Sequence, residues 1–274
     1  MIAVTGATGN VGRALVDRLL AAGRPVRALT RDPERAALPE RAEVARFRAD
    51  DPAGLFDGAT GLFLYAQAVT APLLAAARAS GVRHAVLLSS GIVREGADET
   101  HPLHVLHADA ERLIRDSGLA WTFLRPNGFA TNALQWAPQI RAGNTVRGVY
   151  ADAVSAPIHE DDIAAVAERV LLDEGHEGAV HRLTGPAATT NADQVAAIGA
   201  AVGRDLTFVE VDPGKAGPEL FPHLDPRMLE RLLKTFEDTI GAPPEITTTV
   251  EEITGTPARA FTRWARDHAA DFGA

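Results

Sequence analysis

The chain has 274 residues, of which 46% are hydrophobic, and a formal net charge of −9. This length suits one large core or a core domain with an added lobe, and the absence of cysteine excludes disulfides, thiolate metal sites and a cysteine nucleophile. Scattered basic residues argue against a nucleic-acid-binding face, no apolar run approaches the roughly 20 residues of a membrane span, and the N-terminus has no signal-peptide pattern, so we expect a cytoplasmic protein.

The first twelve residues predict a turn that binds a dinucleotide. An apolar strand over 2–5 leads into three glycines, and a helical pattern over 10–22 follows them. Such a turn offers backbone N–H groups and the positive end of a helix dipole, which suit a diphosphate. A glycine-rich turn that serves packing alone is the alternative. We assign cofactor contacts to Thr5, Gly6, Thr8, Gly9, Asn10, Val11 and Gly12.

The next predicted strand, over 25–30, ends in Thr30 and Arg31. An acidic residue at this place favours the ribose hydroxyls of NAD, whereas a basic residue suits the 2′-phosphate of NADP. Because Asp32 follows directly and Arg31 is equally compatible with a solvated surface side chain, the choice stays open. We assign Thr30 and Arg31 to NADP(H) and keep NAD(H) as the alternative.

Strands and helices alternate through the first half of the chain. This alternation predicts an α/β fold with a doubly wound parallel sheet, the Rossmann arrangement, over residues 1–130. Ligands bind such sheets at the carboxyl ends of the strands, where we assign Ser89, Ser90 and Pro126 to the cofactor. The predicted strands are 2–5, 25–30, 43–48, 61–65, 84–89 and 120–125, and the predicted helices are 10–22, 52–56, 69–80 and 103–117.

Residues 131–274 predict a small C-terminal α/β lobe that binds the substrate and interleaves with the sheet. Predicted helices cover 160–173, 191–202, 225–240 and 256–271, and a strand covers 206–211. Glycines and prolines over 212–226 predict a loop, and the sequence leaves open whether it closes over the substrate. Phe129 and Trp136 follow the last predicted strand of the sheet, so we assign them to the acceptor-binding surface.

The chain resembles the NmrA-like, atypical short-chain dehydrogenases/reductases, and within them the triphenylmethane-reductase-like and quinone-reductase-like NADPH proteins. The resemblance covers nearly the whole length. It implies a Rossmann cofactor domain, a small C-terminal substrate lobe and NADPH as the reductant. The matching segments are 5–12, 26–31, 88–90, 117–129 with Asn132, 157–164, 183–186 and 257–264.

One departure from that family concerns the proton relay. Ordinary members use Tyr-x-x-x-Lys, but residues 98–112 hold neither tyrosine nor lysine. The isoflavone-reductase-like branch has a catalytic lysine eleven residues before a segment that resembles 118–122, and His107 stands at that position. The resemblance therefore implies His107 as the group that donates a proton or a hydrogen bond, with Glu111 orienting it or holding it protonated.

Three other interpretations of this helix remain. His107 is equally compatible with a hydrogen-bonded structural histidine or a solvated one. His104 lies on the same helix face and is assigned to the acceptor. A metal site of His104, His107 and Glu111 has suitable spacing but would need a further ligand, so we expect no metal.

Together these features predict an NADPH-dependent reductase of a small apolar, aromatic or polyketide-like acceptor. A quinone, enone, imine or ketone accepts hydride from a nicotinamide with little help from a strong protein acid. The alternative is an NADP(H)-binding redox sensor without turnover. We expect a small-molecule substrate, no nucleic acid and no membrane, and the sequence leaves a homo-oligomer open.

Overall fold

The computed structural model describes residues 1–222, 224–242 and 244–273, which form eleven strands and ten α-helices. The strands are β1 (Ile2–Thr5), β2 (Val26–Thr30), β3 (Glu43–Arg46), β4 (Gly61–Tyr65), β5 (His84–Leu88), β6 (Ala120–Pro126), β7 (Thr145–Gly148), β8 (Val154–Ser155), β9 (Ala179–Leu183), β10 (Thr189–Thr190) and β11 (Thr207–Glu210). The helices are α1 (Asn10–Ala21), α2 (Ala71–Ala79), α3 (Pro102–Asp116), α4 (Ala137–Ala142), α5 (Glu160–Leu172), α6 (Asn191–Val202), α7 (Ala216–Leu220), α8 (Pro226–Glu237), α9 (Thr249–Thr254) and α10 (Phe261–Asp267).

The chain divides into two compact units. The first unit consists of Met1–Asn127, Glu160–Leu183 and Thr249–Pro257. The second unit consists of Gly128–His159, Thr184–Thr248 and Ala258–Ala274. The division into cofactor and substrate parts at residue 130 stays a prediction, because compactness does not show what each part binds.

The first unit contains a seven-stranded sheet in the order β3-β2-β1-β4-β5-β6-β9, in which every neighbouring pair is parallel. The chain runs from β1 outward to β3 and then returns to the other side of β1 to form β4. The strand order therefore reverses between β1 and β4, and ligands of doubly wound sheets bind at the carboxyl side of this switch point. The predicted fold class is confirmed.

Apolar residues on alternating strand positions form the core of the first unit. Leu62 and Leu64 of β4 are buried in one cluster with Leu73 of α2 and Ile114 of α3, so α2 and α3 cover one face of the sheet. Helices α1 and α5 pack against each other, and α5 also contacts β4, β5 and β6. The sheet is thus covered on both faces, as parallel sheets require.

The second unit has its own core and two small sheets. Strands β7 and β11 pair in parallel, and β8 and β10 pair antiparallel. The core centres on Trp264 of α10, which stacks on Phe261 and is fully buried. Helix α8 has a strongly apolar face but no fully buried residue.

Within the described residues, every helix is too short or too polar to traverse a bilayer. The structure corrects four sequence predictions of local structure. The helix predicted over 256–271 is shorter, with α10 at Phe261–Asp267 and a 3₁₀ turn at Ala269–Phe272. Residues 52–56 form turns and no helix. Strand β9 was not predicted, because Val180, His181 and Arg182 lack a clear apolar pattern. Most of the predicted loop over 212–226 is helical, with a 3₁₀ turn at Pro213–Lys215 followed by α7; residue 223 of that segment lies outside the described residues.

Candidate functional site

The turn between β1 and α1 requires glycine at two positions, Gly6 and Gly12. Gly6 has a φ of +62°, in the left-handed region that favours glycine. A Cβ atom added to Gly12 would lie 2.1 Å from the carbonyl oxygen of Gly6. The N–H of Gly9 donates to that same carbonyl at 2.9 Å. The turn is therefore closed by its own backbone, and α1 starts in direct contact with it.

The start of α1 presents backbone donors. Gly9 precedes the helix and provides no side-chain cap. The N–H of Arg13 donates to the carbonyl of Gly9, so the N–H groups of Asn10, Val11 and Gly12 precede the hydrogen-bond ladder of the helix. Thr8, Gly9 and Asn10 are exposed. This arrangement fits the diphosphate of a dinucleotide, which binds uncapped helix N-termini.

Thr5 and Tyr65 join the turn to the neighbouring strand across the switch point. The buried hydroxyl of Thr5 donates to the carbonyl of Phe63 at 3.0 Å and accepts from the N–H of Tyr65 at 3.3 Å. The ring of Tyr65 lies against Gly6, where an added Cβ atom would be 3.0 Å from its Cδ1. Thr5 therefore fixes the two strand ends.

The carboxyl end of β2 presents an exposed guanidinium. Arg31 is exposed, and its side chain has no hydrogen-bond or ion-pair partner in the described part of the chain. Arg46 of β3 donates to the carbonyl of Arg31 at 2.8 Å and so fixes its backbone. The Asp32 carboxylate lies 3.7 Å from Nε of Arg35, and the Asp32 N–H donates to the hydroxyl of the buried Thr30. Arg31 is thus available for a 2′-phosphate.

A buried carboxylate connects α3 to the carboxyl ends of β5 and β6. Glu111 is fully buried and accepts a hydrogen bond from the Ser89 hydroxyl at 2.7 Å. Arg125 of β6 binds both carboxylate oxygens, at 2.8 and 2.6 Å, and Arg115 binds one of them at 3.1 Å. We call Ser89, Glu111, Arg115 and Arg125 the carboxyl-end cluster. It is compensated in charge, as a buried carboxylate requires.

His107 lies one helical turn before Glu111 on α3. The helix starts at the carboxyl edge of the sheet, so His107 lies about 6 Å nearer to that edge than Glu111 does. Its Nδ1 is buried and lacks a hydrogen-bond partner within the described residues. Burial lowers the pKa of the His107 imidazole, and the charge of Glu111 partly opposes this shift. The imidazole is therefore neutral at pH 7.

The predicted role of Glu111 as a partner of His107 differs from what the structure contains. The carboxylate oxygens bind Ser89, Arg115 and Arg125, and no hydrogen bond joins Glu111 to His107 among the described residues. His104, one turn before His107, is buried at 9% exposure. In the described part of the chain, no three histidine or acidic side chains are arranged to hold a metal ion.

The remaining predicted cofactor residues are Ser90, in the loop that leaves β5, and Pro126, the last residue of β6. The hydroxyl of Ser90 accepts from the N–H of Ile92 at 3.3 Å, which closes a turn. The carbonyl of Pro126 accepts from the N–H of Gly91 at 2.8 Å. The loop after β5 and the end of β6 are therefore joined through their backbones at the carboxyl edge.

The predicted acceptor residues Phe129 and Trp136 belong to the second unit. Phe129 is half-buried and forms an isolated parallel bridge with Ile158. Trp136 is buried in the core of that unit, where its ring meets Phe208 edge-to-face at 6.3 Å between centroids. Its contact with an acceptor stays a prediction.

Sequence reasoning assigned no site role to Arg125 or Tyr65. A signal existed for Arg125, because an arginine inside the apolar strand 120–126 needs a buried counter-charge. A signal also existed for Tyr65, which ends a strand at the edge where ligands bind. The distances that connect these residues to Glu111 and Gly6 required the structure.

Comparisons with known proteins agree with this geometry. A family model described as NAD(P)H-binding matches residues 6–174. The (4-alkanoyl-5-oxo-2,5-dihydrofuran-3-yl)methyl phosphate reductase of Streptomyces griseus subsp. griseus is 40% identical over 281 residues, which cover 99% of each chain.

Two solved structures resemble the chain over almost its whole length. An NADPH-dependent quinone oxidoreductase from Escherichia coli has a TM-score of 0.77 and 26% identity, and the match covers 97% of this chain and 99% of the other. The triphenylmethane reductase of a Citrobacter species has a TM-score of 0.80 and 20% identity, with 98% of both chains covered, and shares the fold. These two structures correspond to the quinone-reductase-like and triphenylmethane-reductase-like proteins that the sequence resembles.

Proposed function

Since the chain belongs to the NAD(P)H-binding family, we propose that it uses NADPH to reduce a carbon–carbon double bond conjugated with a carbonyl group in a small acceptor. The broader prediction, an NADPH-dependent reductase of small acceptors, is confirmed by its reductase relatives. The chain is an oxidoreductase, and NADP(H) is its cofactor. The structural observation that supports the finer proposal is the position of a neutral histidine, His107, toward the carboxyl edge of the sheet, where it can donate a hydrogen bond to the acceptor oxygen.

The acceptor class follows from two features. The name of the Streptomyces relative describes a 5-oxo-2,5-dihydrofuran, a ring whose double bond is conjugated with a carbonyl. The described chain also has no tyrosine–lysine pair on α3 to protonate a ketone oxygen fully. A conjugated acceptor fits both, because hydride adds to its β carbon while the carbonyl oxygen needs only a hydrogen bond.

The cofactor is held by the turn and by the end of β2. The N–H groups of Asn10, Val11 and Gly12 bind the diphosphate, and Arg31 binds the 2′-phosphate. Thr5, Gly6, Thr8 and Gly9 shape the turn, and Thr30, Ser89, Ser90 and Pro126 hold the loops around it. Bound NADPH supplies the hydride.

His107 stabilises the acceptor oxygen. Hydride addition to the β carbon places negative charge on the carbonyl oxygen, and an N–H of the neutral imidazole donates a hydrogen bond to it. The α carbon then takes a proton from water, so that one hydride and one proton complete the reduction. Burial lowers the pKa of His107, so the imidazole donates this hydrogen bond in its neutral form at neutral pH.

Glu111 acts as a positioning residue. Its carboxylate accepts the hydrogen bond that the Ser89 hydroxyl donates. This hydroxyl can therefore only accept a hydrogen bond from any other partner. The acceptor contacts predicted for His104, Phe129 and Trp136 remain part of the proposal.

The test follows the absorbance of NADPH during incubation with a panel of enones, quinones, imines and simple ketones. We expect turnover to be fastest with the conjugated acceptors. His107→Ala lowers kcat about 100-fold, because it removes a hydrogen-bond donor to a developing oxyanion. His107→Gln keeps an N–H donor and retains more activity. His181→Gln, a histidine elsewhere in the first unit, is the matched control and leaves kcat unchanged.

Two outcomes contradict the proposal. Equal activity of His107→Ala and the wild type excludes His107 from the reaction. A protein that binds both NADP⁺ and NADPH but consumes none with any acceptor is a redox sensor instead.

A further inference from the structure

Tyr65 is one of two tyrosines in the chain, and it ends β4 on the side of the switch point opposite to β1. Its ring packs on Gly6, the first glycine of the cofactor turn. Its backbone N–H is fixed by the hydroxyl of Thr5. The backbone of Tyr65 is thus bonded to the end of β1, and its ring lies against the first residue of the turn.

The Tyr65 hydroxyl has no protein partner within the described residues, and it is not a buried atom. The residue is half-buried, so the ring is held while the hydroxyl stays accessible. A phenol is both a donor and an acceptor. A held phenol with an accessible hydroxyl, next to a diphosphate-binding turn, is suited to bind a ligand oxygen.

The charge around the turn explains why such a donor is useful. Residues 5–12 contain no basic side chain. The first arginine after them, Arg13, turns away and donates to the carbonyls of Ala36 and Ala37 at 3.1 and 2.6 Å. The diphosphate is therefore met by neutral donors, which are the first N–H groups of α1 and whatever hydroxyl lies beside them.

We propose that the Tyr65 hydroxyl donates a hydrogen bond to the diphosphate of NADP(H). This inference rests on the NADP(H)-binding part of the function proposed above. It assigns the ring of Tyr65 to shaping the turn at Gly6 and the hydroxyl to binding the cofactor, two separable roles.

The test compares Tyr65→Phe with the wild type by measuring the Kd of NADPH and of NADP⁺ through quenching of tryptophan fluorescence. Tyr65→Phe keeps the ring that packs on Gly6 and removes only the hydroxyl. We expect the Kd of both cofactors to rise about 3- to 10-fold, the size typical of one accessible hydrogen bond. The two cofactors are weakened equally, because the diphosphate is the same in both. Tyr150→Phe, which removes the other phenol, is the matched control and leaves both Kd values unchanged.

A fragment without diphosphate sharpens the test. The Kd of 2′-AMP, which carries the adenosine and its 2′-phosphate, is the same for Tyr65→Phe and the wild type, whereas Arg31→Ala weakens it. Thermal unfolding of Tyr65→Phe checks that the turn is intact.

The proposal is overturned if Tyr65→Phe binds NADP⁺ as the wild type does, or if it weakens 2′-AMP as much as NADP⁺. A fall in kcat with unchanged Kd would instead make the phenol a group of the reaction and would equally refute a diphosphate contact. Because these are binding measurements, they stand even if no acceptor in the panel is reduced.

Discussion

Strands β5 and β6 carry a polar cluster at each end, and the two clusters are built from different chemistry. The carboxyl-end cluster contains a buried carboxylate, two arginines and the Ser89 hydroxyl. At the opposite end, Nε2 of His84 lies 2.9 Å from the hydroxyl of Thr122, which donates to the carbonyl of His176 at 2.6 Å. We call His84, Thr122 and His176 the amino-end cluster. The ring of His181, which lies level with Leu124 of β6, meets the ring of His176 at 5.4 Å between centroids.

The difference lies in whether charge is fixed or absent. Glu111 is held by the guanidinium groups of Arg115 and Arg125. In the amino-end cluster, the Thr122 hydroxyl donates its proton to the carbonyl of His176, so Nε2 of His84 is the donor to Thr122. Burial lowers the pKa of both His84 and His181. The charged cluster lies at the carboxyl end of the strands, where ligands of such sheets bind. We expect the amino-end cluster to have a structural role only.

The largest expected effect comes from breaking the charge compensation of the carboxyl-end cluster. Glu111→Gln leaves Arg125 without its carboxylate in a buried place. We expect a loss of about 3–5 kcal/mol in the free energy of unfolding, as is typical when one partner of a buried ion pair is removed. Urea denaturation followed by circular dichroism measures it.

The matched control for this variant is Asp109→Asn on the same helix. Asp109 pairs with Arg112 at 3.0 Å, with both side chains more than half exposed, so we expect a change of about 1 kcal/mol or less. An equal loss in the free energy of unfolding for Glu111→Gln and Asp109→Asn would show that the buried ion pair contributes no more than the exposed one.

The second prediction compares the two hydroxyls. Ser89→Ala and Thr122→Val each remove one buried hydroxyl, and each is expected to cost about 1–3 kcal/mol of stability. Only Ser89→Ala changes the Kd of NADPH, because Ser89 lies at the carboxyl end of the sheet. If Thr122→Val shifted the Kd of NADPH as much as Ser89→Ala does, the carboxyl end could not be the ligand-binding end and the amino end purely structural.

The third prediction concerns pH. The folded state holds His84 and His181 neutral, with pKa values below their ordinary value near 6.5. The unfolded chain therefore binds more protons below that pH. Their stabilising contribution is complete above about pH 6.5 and is lost as the pH falls below it. Urea denaturation at pH 7.5, 6.5 and 5.5 detects this loss, which we expect to be smaller than the effect of Glu111→Gln.

The double variant with His84→Gln and His181→Gln isolates this contribution. It is expected to lose less stability than the wild type between pH 6.5 and 5.5, because two of the titrating groups are gone. Parallel pH profiles of the variant and the wild type would refute the assignment.

The two clusters also show what the sequence could and could not predict. The glycine turn was predictable because its geometry depends on residues that are near one another in the chain, Gly6, Gly9 and Gly12. The carboxyl-end cluster joins residues 22 and 14 positions apart, Ser89 with Glu111 and Glu111 with Arg125. Helical spacing placed Glu111 on the face of His107, but the competing guanidinium comes from a strand, and no local pattern shows that. Strand β9, which carries His181, was missed for a similar reason, since its place in the sheet depends on pairing with β6.

The smallest effect is expected at the exposed margin of the carboxyl-end cluster, at Arg115. Its side chain is 43% exposed, and its guanidinium carbon lies 5.1 Å from the ring centre of Trp121 and 4.7 Å from that of Phe123. Arg125 alone already satisfies both oxygens of Glu111. Arg115→Met keeps most of the apolar stem and removes the charge, so we expect a loss of about 1 kcal/mol or less, reduced further by 1 M NaCl. A loss as large as that of Glu111→Gln would mean that Arg115, and not Arg125, compensates the buried carboxylate.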